Sequence, residues 1–338
     1  MERQDVYFHP EYLSSYEKET QAEACCAVIK DGEAVLLYPF LKSVIKIHEN
    51  LPNDKRLNDI QSAYGYGGPV VNVAGETIAF LNDAWTMFSD WCAQQHVVSE
   101  FVRFHPLLDN VRWAPNAMRT FKDRVTIPIM LEGYSTAIQN SSYYRVHRQM
   151  LSKAQRSGFS FQILPVHGAL SWFVPLYLET QEQLQAGRET RFGIDYFQRL
   201  ADGFGDKAWL GVVNHSGAIV AAVLVFESEL FLHSHLMGYR RDLPISGMTN
   251  LVYHGIALEG STRGKSVLHM GGGRTNHEDD SLLRFKKSLS PETRDYWLGT
   301  RCHNQLRYDE LACAWESRNG PRPANYLQFY NLPSATCA

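Results

Sequence analysis

The segment Ser266–Pro291 constrains the fold of this chain more than any other, because strand, turn and helix signals follow one another within it. It opens on an apolar run that is typical of the end of a buried strand. The glycines Gly271–Gly273 come next and predict a tight turn whose backbone comes close to a ligand. Asp279 or Asp280 is then placed to cap a short helix that carries Phe285.

Positive charge surrounds this turn, since Arg274 follows the glycines and Lys286 and Lys287 end the helix. We therefore expect the segment to suit a negatively charged or oxyanion-bearing group. The alternatives are a turn without a ligand and two lysines on a solvated face. The glycine spacing matches neither the dinucleotide-binding pattern nor the phosphate-binding loop of P-loop proteins.

Length and composition describe an ordinary globular chain. The 338 residues predict two domains or one large one, and 44% of them are hydrophobic while 20% are charged. The net charge of −3 argues against broad nucleic-acid binding, and we expect no DNA partner. The six cysteines show neither C-x-x-C nor zinc spacing, so we expect free thiols in the cytoplasm and no metal. We also expect neither a secretory leader nor a membrane span, because no long apolar run is found.

Periodicity and turn residues predict a mixture of helices and strands along the chain. The pair Asp31-Gly32 predicts a hairpin between strands at 24–30 and 34–39, and antiparallel strands are expected across 208–237. Further strands are expected at 97–104, 126–130, 159–164 and 297–308, and helices within 1–20 and at 75–95, 142–157, 172–200, 249–262 and 310–315.

Two further groups of residues are candidates for a substrate cleft. The loop Tyr64–Pro69 is either a structured turn or a cleft wall on which Tyr64 and Tyr66 orient a polar ligand. His233 and His235 lie two apart on one strand, so they face the same side. We interpret one of them as a polar cleft residue or proton relay, since no third metal ligand accompanies them.

The order of elements in the second half resembles an acyltransferase domain of the GNAT type, and the first half resembles a weaker copy of it. A chain of two such units is similar to the FemABX family and to the wider FemAB-like acyltransferases. The motifs that carry the resemblance are YGYGGP at Tyr64–Pro69, HRQMLSKAQRSG at His147–Gly158, FVPLYLET at Phe173–Thr180, and HMGGGR followed by DSLLRFKKSLSP, which contains the pair Phe285-Lys286. GNAT enzymes that use acyl-CoA usually present several glycines before the central helix, whereas Arg240–Thr249 carries only Gly247.

This resemblance implies an α/β fold with mixed sheets, built from two tandem GNAT-like domains. The expected bounds are 1–128 for the first domain, completed by 303–332, and 129–302 for the second, which carries the catalytic signature. FemABX enzymes transfer amino acids from aminoacyl-tRNA onto peptidoglycan precursors. The implied activity is therefore transfer of an aminoacyl or acyl group to an amine of a cell-envelope precursor, sugar nucleotide or small metabolite. The implied donor is aminoacyl-tRNA or acyl-CoA, with no tightly bound cofactor and with charged tRNA as a candidate partner.

The resemblance also implies roles for individual residues. Lys286, beside the apolar Phe285, would stabilise the oxyanion or hold a donor phosphate, and His235 is the candidate relay. Glu227 and Asp279 are candidate bases between which the sequence does not choose. The candidate substrate-binding residues, expected around a cleft between the two domains, are Tyr64, Tyr66, Gly67, Arg103, His105, Arg145, Arg148, Gly272, Gly273 and Arg274. The alternative functions are a non-catalytic binding module on the same fold and a nucleic-acid-binding protein, the latter suggested by the basic helix at residues 145–156.

Overall fold

The computed structural model describes residues 5–45, 56–185, 187, 190–240, 247–324 and 326–332. Residues 241–246, which belong to the glycine-poor segment Arg240–Thr249 discussed above, and Cys337 lie outside these residues. The strands are β1 (Glu23–Asp31), β2 (Ala34–Val44), β3 (Asn58–Gln61), β4 (Val70–Val71), β5 (Val97–Arg103), β6 (Arg119–Met130), β7 (Ser160–Pro165), β8 (Ala208–His215), β9 (Ala218–Glu227), β10 (Phe231–Tyr239), β11 (Val267–Gly272) and β12 (Arg294–Cys302). The α-helices are α1 (Pro10–Thr20), α2 (Ile78–Gln94), α3 (Tyr134–Asn140), α4 (Arg145–Arg156), α5 (Leu170–Gln183), α6 (Ile194–Phe204), α7 (Met248–Thr262), α8 (Ser281–Lys287) and α9 (Gln305–Asn319).

The described residues form two units. Unit 1 contains residues 16–123 and 296–332, and unit 2 contains residues 5–15 and 124–295. The sequence placed the corresponding boundaries at 128 and 302 and kept the N-terminal segment in the first domain. Among the described helices, none combines the length and the apolar content that crossing a bilayer requires.

Unit 1 is built on a mixed sheet ordered β1-β2-β3-β5-β12, with β4 added to β2. β3 and β5 are parallel, and the other neighbours are antiparallel. Helix α2 begins after Thr77, whose hydroxyl accepts from the Phe80 amide. Its apolar side packs on the sheet, where the rings of Phe88 and Tyr38 are 5.2 Å apart. Each buried aromatic side chain contributes about 1.5–3 kcal/mol, so this layer holds helix and sheet together.

Unit 2 is built on a second mixed sheet, ordered β6-β11-β10-β9-β8-β7. β10 and β11 are parallel, and the other neighbours are antiparallel. Helix α7 packs closely on this sheet, because a Cβ at Gly255 would lie 2.3 Å from the Phe161 ring. The N-terminal segment is held to the same sheet through Asp5, whose Oδ2 lies 2.8 Å from Nε2 of His233.

The hairpin at Asp31-Gly32 and the antiparallel strands across 208–237 are confirmed. The glycine segment differs from the prediction, since Gly271 and Gly272 belong to β11 and the positive φ of +72° at Gly271 lets the strand bend without ending. The strand predicted at 297–308 is wrong beyond Cys302, because Asn304 caps α9 and its side chain accepts from the Arg307 amide.

Candidate active site

β10 and β11 form a fork in the sheet of unit 2. Among the described residues they pair only through Phe231–His233 and Val267–His269. Beyond these pairs β10 continues to Tyr239 along β9, while β11 continues to Gly272 along β6. The two strands therefore separate after the third pair. A gap between two strand edges suits an extended ligand, because backbone groups on both sides can hydrogen-bond it.

Lys286 reaches the end of one arm of this fork. It lies on α8, and its Nζ donates to the Gly272 carbonyl oxygen at 2.7 Å. The residue is only 7% exposed, and this burial lowers the pKa of its ammonium from 10.5 to about 7. An ammonium has three N–H donors, of which Gly272 takes one, so two remain for a ligand oxygen. Near neutral pH the group can therefore stabilise a developing oxyanion.

Ser234 lies where the fork opens and contacts Tyr253, whose ring faces Phe285; of these three residues the sequence predicts only Phe285. Ser234 is the first residue of β10 beyond the paired part, and its Oγ lies 3.3 Å from the Tyr253 hydroxyl. Tyr253 is buried on α7, and its ring centroid is 6.2 Å from that of the partly exposed Phe285. No local pattern in the sequence singles out Tyr253, because Thr249 and Asn250 are also polar on the same face of α7.

The glycine segment is organised around a carboxylate of the chain itself. Asp280 Oδ2 accepts from the amides of Arg274 and Thr275 at 3.1 and 3.0 Å. Its Oδ1 accepts from the Leu283 amide at 2.9 Å, which makes Asp280 the N-cap of α8. A Cβ at Gly273 would lie 2.6 Å from this oxygen. The chain thus supplies its own anion here, and an external anion would have to displace Asp280.

The three substrate-binding residues predicted in this segment have different surroundings. The carbonyl of Gly272 accepts from Lys286, whereas the carbonyls of Gly273 and Arg274 accept from Nη1 of Arg124. The Arg274 side chain is exposed. Of the three residues, Gly272 is the one that contacts the cation at the fork.

His235 lies on the other face of the sheet from the Ser234–Tyr253 pair. Its Nε2 is 3.0 Å from the hydroxyl of Tyr196 on α6, and burial lowers its pKa to about 3. The contacts of neighbouring residues on β10 therefore point to opposite sides, Ser234 towards α7 and His235 towards α6. A neutral imidazole at His235 can accept or donate through Tyr196, but it is not brought together with Lys286.

The two candidate bases have different surroundings. Glu227 is engaged by Arg263 at 2.7 Å, by Lys265 at 2.9 Å and by the indole of Trp209 at 3.2 Å. Burial opposes its ionisation, but the bonds to Lys265 and Trp209 outweigh burial and lower its pKa. Asp279 is exposed and directly precedes Asp280, the N-cap of α8. A carboxylate held by two cations is a weak proton acceptor, so Glu227 is poorly suited to act as a base and instead forms ion pairs with Arg263 and Lys265.

The two substrate-binding residues predicted on the basic helix α4 differ in their exposure and contacts. Arg145 is exposed at the first position of the helix. Arg148 donates through Nη1 to the carbonyls of Ile138 and Ser141, both at 2.7 Å, and thereby caps the end of α3. Carbonyls at a helix end need such donors, which gives Arg148 a structural task.

The predicted substrate-binding residues of unit 1 lie around Asn110, which was not predicted from the sequence. Asn110 accepts from the His105 amide at 2.7 Å and donates to the Gly67 carbonyl at 2.8 Å. The Gly67 amide donates to the Arg103 carbonyl at 2.7 Å, and the rings of Tyr66 and His105 are 5.5 Å apart. Tyr64 is partly exposed in the same loop. Tyr66, Gly67, Arg103 and His105 therefore form one cluster within unit 1.

Comparison with known proteins gives a family model and several solved structures. Residues 141–287 match the model described as an acetyltransferase (GNAT) domain. FemX is 13% identical at a TM-score of 0.68, with 90% of this chain and 94% of FemX covered. L-PGS from Bacillus licheniformis is 16% identical at a TM-score of 0.57, with 92% and 98% covered. A tandem GNAT protein from the clavulanic acid biosynthesis pathway is 12% identical at 0.51, with 84% of each chain covered.

None of the curated proteins compared matches the sequence. The matched segment runs from Ser141, which directly follows α3, to Lys287, the last residue of α8, so it contains the fork and Lys286. The expected α/β fold and the resemblance to FemAB-like proteins are confirmed. Residues 141–287 of this chain thus match a GNAT-type acetyltransferase domain, and the chain shares its fold with FemX and with a tandem GNAT protein.

Proposed function

We propose that this protein is an N-acyltransferase of FemAB-like type, which transfers an aminoacyl or acyl group to an amine. The acceptor is a cell-envelope precursor, a sugar nucleotide or a small metabolite, and the donor is aminoacyl-tRNA or acyl-CoA. The buried ammonium of Lys286 at the fork carries this proposal, because acyl transfer needs a positive group where a tetrahedral oxyanion develops.

The chemistry follows from what this ammonium can do. The neutral amine attacks the donor carbonyl carbon, and the carbonyl oxygen becomes an oxyanion that accepts from the remaining N–H donors of Lys286. The carbon–oxygen or carbon–sulfur bond to the carrier then breaks, and the new amide forms. The proton that the amine nitrogen loses balances the proton that the leaving group gains. Burial strengthens the interaction of the oxyanion with Lys286, because little water screens it.

Phe285 completes the arrangement on the same helix. Its partly exposed ring adjoins Lys286 in the chain and faces Tyr253, so it supplies an apolar wall beside the cation. His235 is retained as a proposed relay through Tyr196, and the unit 1 cluster around Asn110 as a proposed ligand site. Arg145, which is exposed, stays a candidate contact for an anionic substrate.

Transfer assays with matched variants test the proposal. Acetyl-CoA and alanyl-tRNA are offered to a lysine-containing pentapeptide and to an amino-sugar nucleotide, and amide formation is followed by mass spectrometry. Lys286→Met is expected to lower the transfer rate by about 10²–10³, the usual effect of removing one oxyanion donor. Lys287→Met is the control, since Lys287 is exposed and adjacent on the same helix. Full activity in Lys286→Met would refute the role of this lysine, and the absence of transfer from either donor would favour a binding module.

A further inference from the structure

The pair of hydroxyls on Ser234 and Tyr253 is unusual for its surroundings. The α7 side of unit 2 is lined by aliphatic and aromatic residues, among them Leu232, Leu268 and Met270. Ser234 and Tyr253 bring two hydroxyls to this apolar wall at the point where the fork opens. A polar group in an apolar wall lowers stability unless it is hydrogen-bonded, so such a pair needs an explanation.

The pair can hydrogen-bond a third group. Its oxygens are 3.3 Å apart, which is longer than the roughly 2.7–2.8 Å of an optimal hydroxyl pair. Two hydroxyls offer two protons and four lone pairs, and the bond between them uses one of each. One proton and three lone pairs remain. Burial raises the pKa of Tyr253, so its phenol keeps its proton at neutral pH and acts as a donor or acceptor without charge.

The position of the pair relative to Lys286 indicates which part of a donor it meets. Lys286 holds the end of the β11 arm, whereas Ser234 begins the open part of the β10 arm. Phe285 connects the two, because it precedes Lys286 in the chain and its ring faces Tyr253. Paired strands lie about 4.8 Å apart and these two separate further, so a small acyl group fits between the arms. A donor whose carbonyl oxygen is bonded to Lys286 at the β11 arm can therefore extend its acyl group towards Ser234 and Tyr253 at the β10 arm.

We propose that Ser234 and Tyr253 determine specificity by hydrogen-bonding a polar substituent, amino or hydroxyl, on the carbon next to the donor carbonyl. This inference rests on the proposed function, since it assumes that the acyl group occupies the fork. It selects aminoacyl and hydroxyacyl donors over alkyl acyl donors of the same size. A site built to hydrogen-bond a substrate group rejects the analogue that lacks it, because the hydroxyls of the site are then left unpaired.

Three isosteric acyl groups test this inference: alanyl, lactyl and isobutyryl, which carry an amino, a hydroxyl or a methyl group at the same carbon. Each is attached to coenzyme A and to tRNA, and kcat/KM is compared on one carrier at a time. The wild-type protein is expected to prefer alanyl and lactyl over isobutyryl by at least tenfold, about the effect of one net hydrogen bond. In Tyr253→Phe and in Ser234→Ala this ratio is expected to fall towards one.

The control is Tyr134→Phe, which removes another buried hydroxyl of unit 2, one that is bonded to His254 and not to Ser234. It is expected to leave the ratio unchanged. A purely structural role of Tyr253 would lower turnover of all three donors by one factor, and that result would overturn the inference. Equal use of the three donors by the wild-type protein would also overturn it. If neither carrier supports transfer of any acyl group, the proposed function itself fails, which separates the two outcomes.

Discussion

Replacing Lys286 by methionine is expected to stabilise the protein while it removes activity. Methionine is an unbranched apolar side chain of similar length, so it fills the site without the charge. Burial lowers the pKa of Lys286 from 10.5 to about 7. At about 1.36 kcal/mol per pKa unit, this shift corresponds to a cost of roughly 4–5 kcal/mol for keeping the group in the folded protein near pH 7.

Lys286→Met removes this cost, but part of the resulting gain in stability is lost. The hydrogen bond from Nζ to the Gly272 carbonyl disappears, and a bond from a charged donor contributes about 1.5–3 kcal/mol. The expected net effect at pH 7 is therefore a rise of about 1–3 kcal/mol in the free energy of unfolding. For a unit of this size each kcal/mol raises Tm by roughly 2–4 °C. Lys287→Met, at the exposed neighbouring position, is expected to change stability by no more than about 0.5 kcal/mol.

The pH dependence of the free energy of unfolding shows whether the burial of the Lys286 charge causes this difference in stability. Between pH 7 and pH 10.5 the unfolded chain holds the Lys286 proton and the folded chain releases it, so this group makes stability rise with pH across that window. Urea unfolding followed by circular dichroism at pH 7 and pH 9 measures the effect. The gap between Lys286→Met and the wild type is expected to shrink by about 2 kcal/mol at the higher pH. A variant that is less stable than the wild type, by the same amount at both pH values, would refute the burial cost.

Three further outcomes are expected. Burial lowers the pKa of His147 from 6.5 to about 4. Between these two pH values the unfolded chain binds a proton that the folded chain does not. The free energy of unfolding therefore falls by up to about 3 kcal/mol as the pH drops from 6.5 to 4. His147→Gln should flatten that part of a pH series of urea unfolding, and an unchanged slope would contradict the assignment. Asp280→Ala should cost about 1–2 kcal/mol through loss of the α8 cap and lower transfer activity, whereas Asp279→Ala should do neither in parallel melts and assays. Gly247→Ala should lower the free energy of unfolding by more than about 2 kcal/mol, because φ is +96° and a Cβ would lie 2.2 Å from a backbone carbonyl oxygen. Gly217→Ala should lower it by about 1 kcal/mol, because φ is also positive there but the space around the Cβ is open. Equal losses of stability at the two glycines would show that the close contact relaxes.

Local signals in the sequence predicted the elements that depend on neighbouring residues. The dipeptide Asp31-Gly32 specifies a hairpin because its backbone preferences match a tight turn, and Asp280 caps α8 because a carboxylate satisfies amides at a helix start. The pair Phe285-Lys286 was found through its resemblance to a family motif, and the structure places it at the fork. The hairpin and the helix cap can be predicted because the residues that form them lie within a few positions of one another.

The remaining features depend on contacts between distant parts of the chain. The fork exists because β11 leaves β10 after three pairs, which no local pattern specifies. Ser234 meets Tyr253 only after α7 packs on the sheet, and His235 meets Tyr196 from another helix. The glycines indicated an anion, but the sequence could not show that Asp280 supplies it. Periodicity gives the face of a residue, whereas its partner is set by register and packing.

A crystal structure with a non-hydrolysable donor analogue shows whether the donor acyl group binds in the fork at Lys286. The reactive carbonyl is expected between the arms of β10 and β11, with its oxygen about 2.7–3.1 Å from Nζ of Lys286 and its adjacent carbon turned towards Ser234 and Tyr253. An analogue bound elsewhere, with Lys286 bonded only to Gly272 and no acyl group in the fork, would contradict the account.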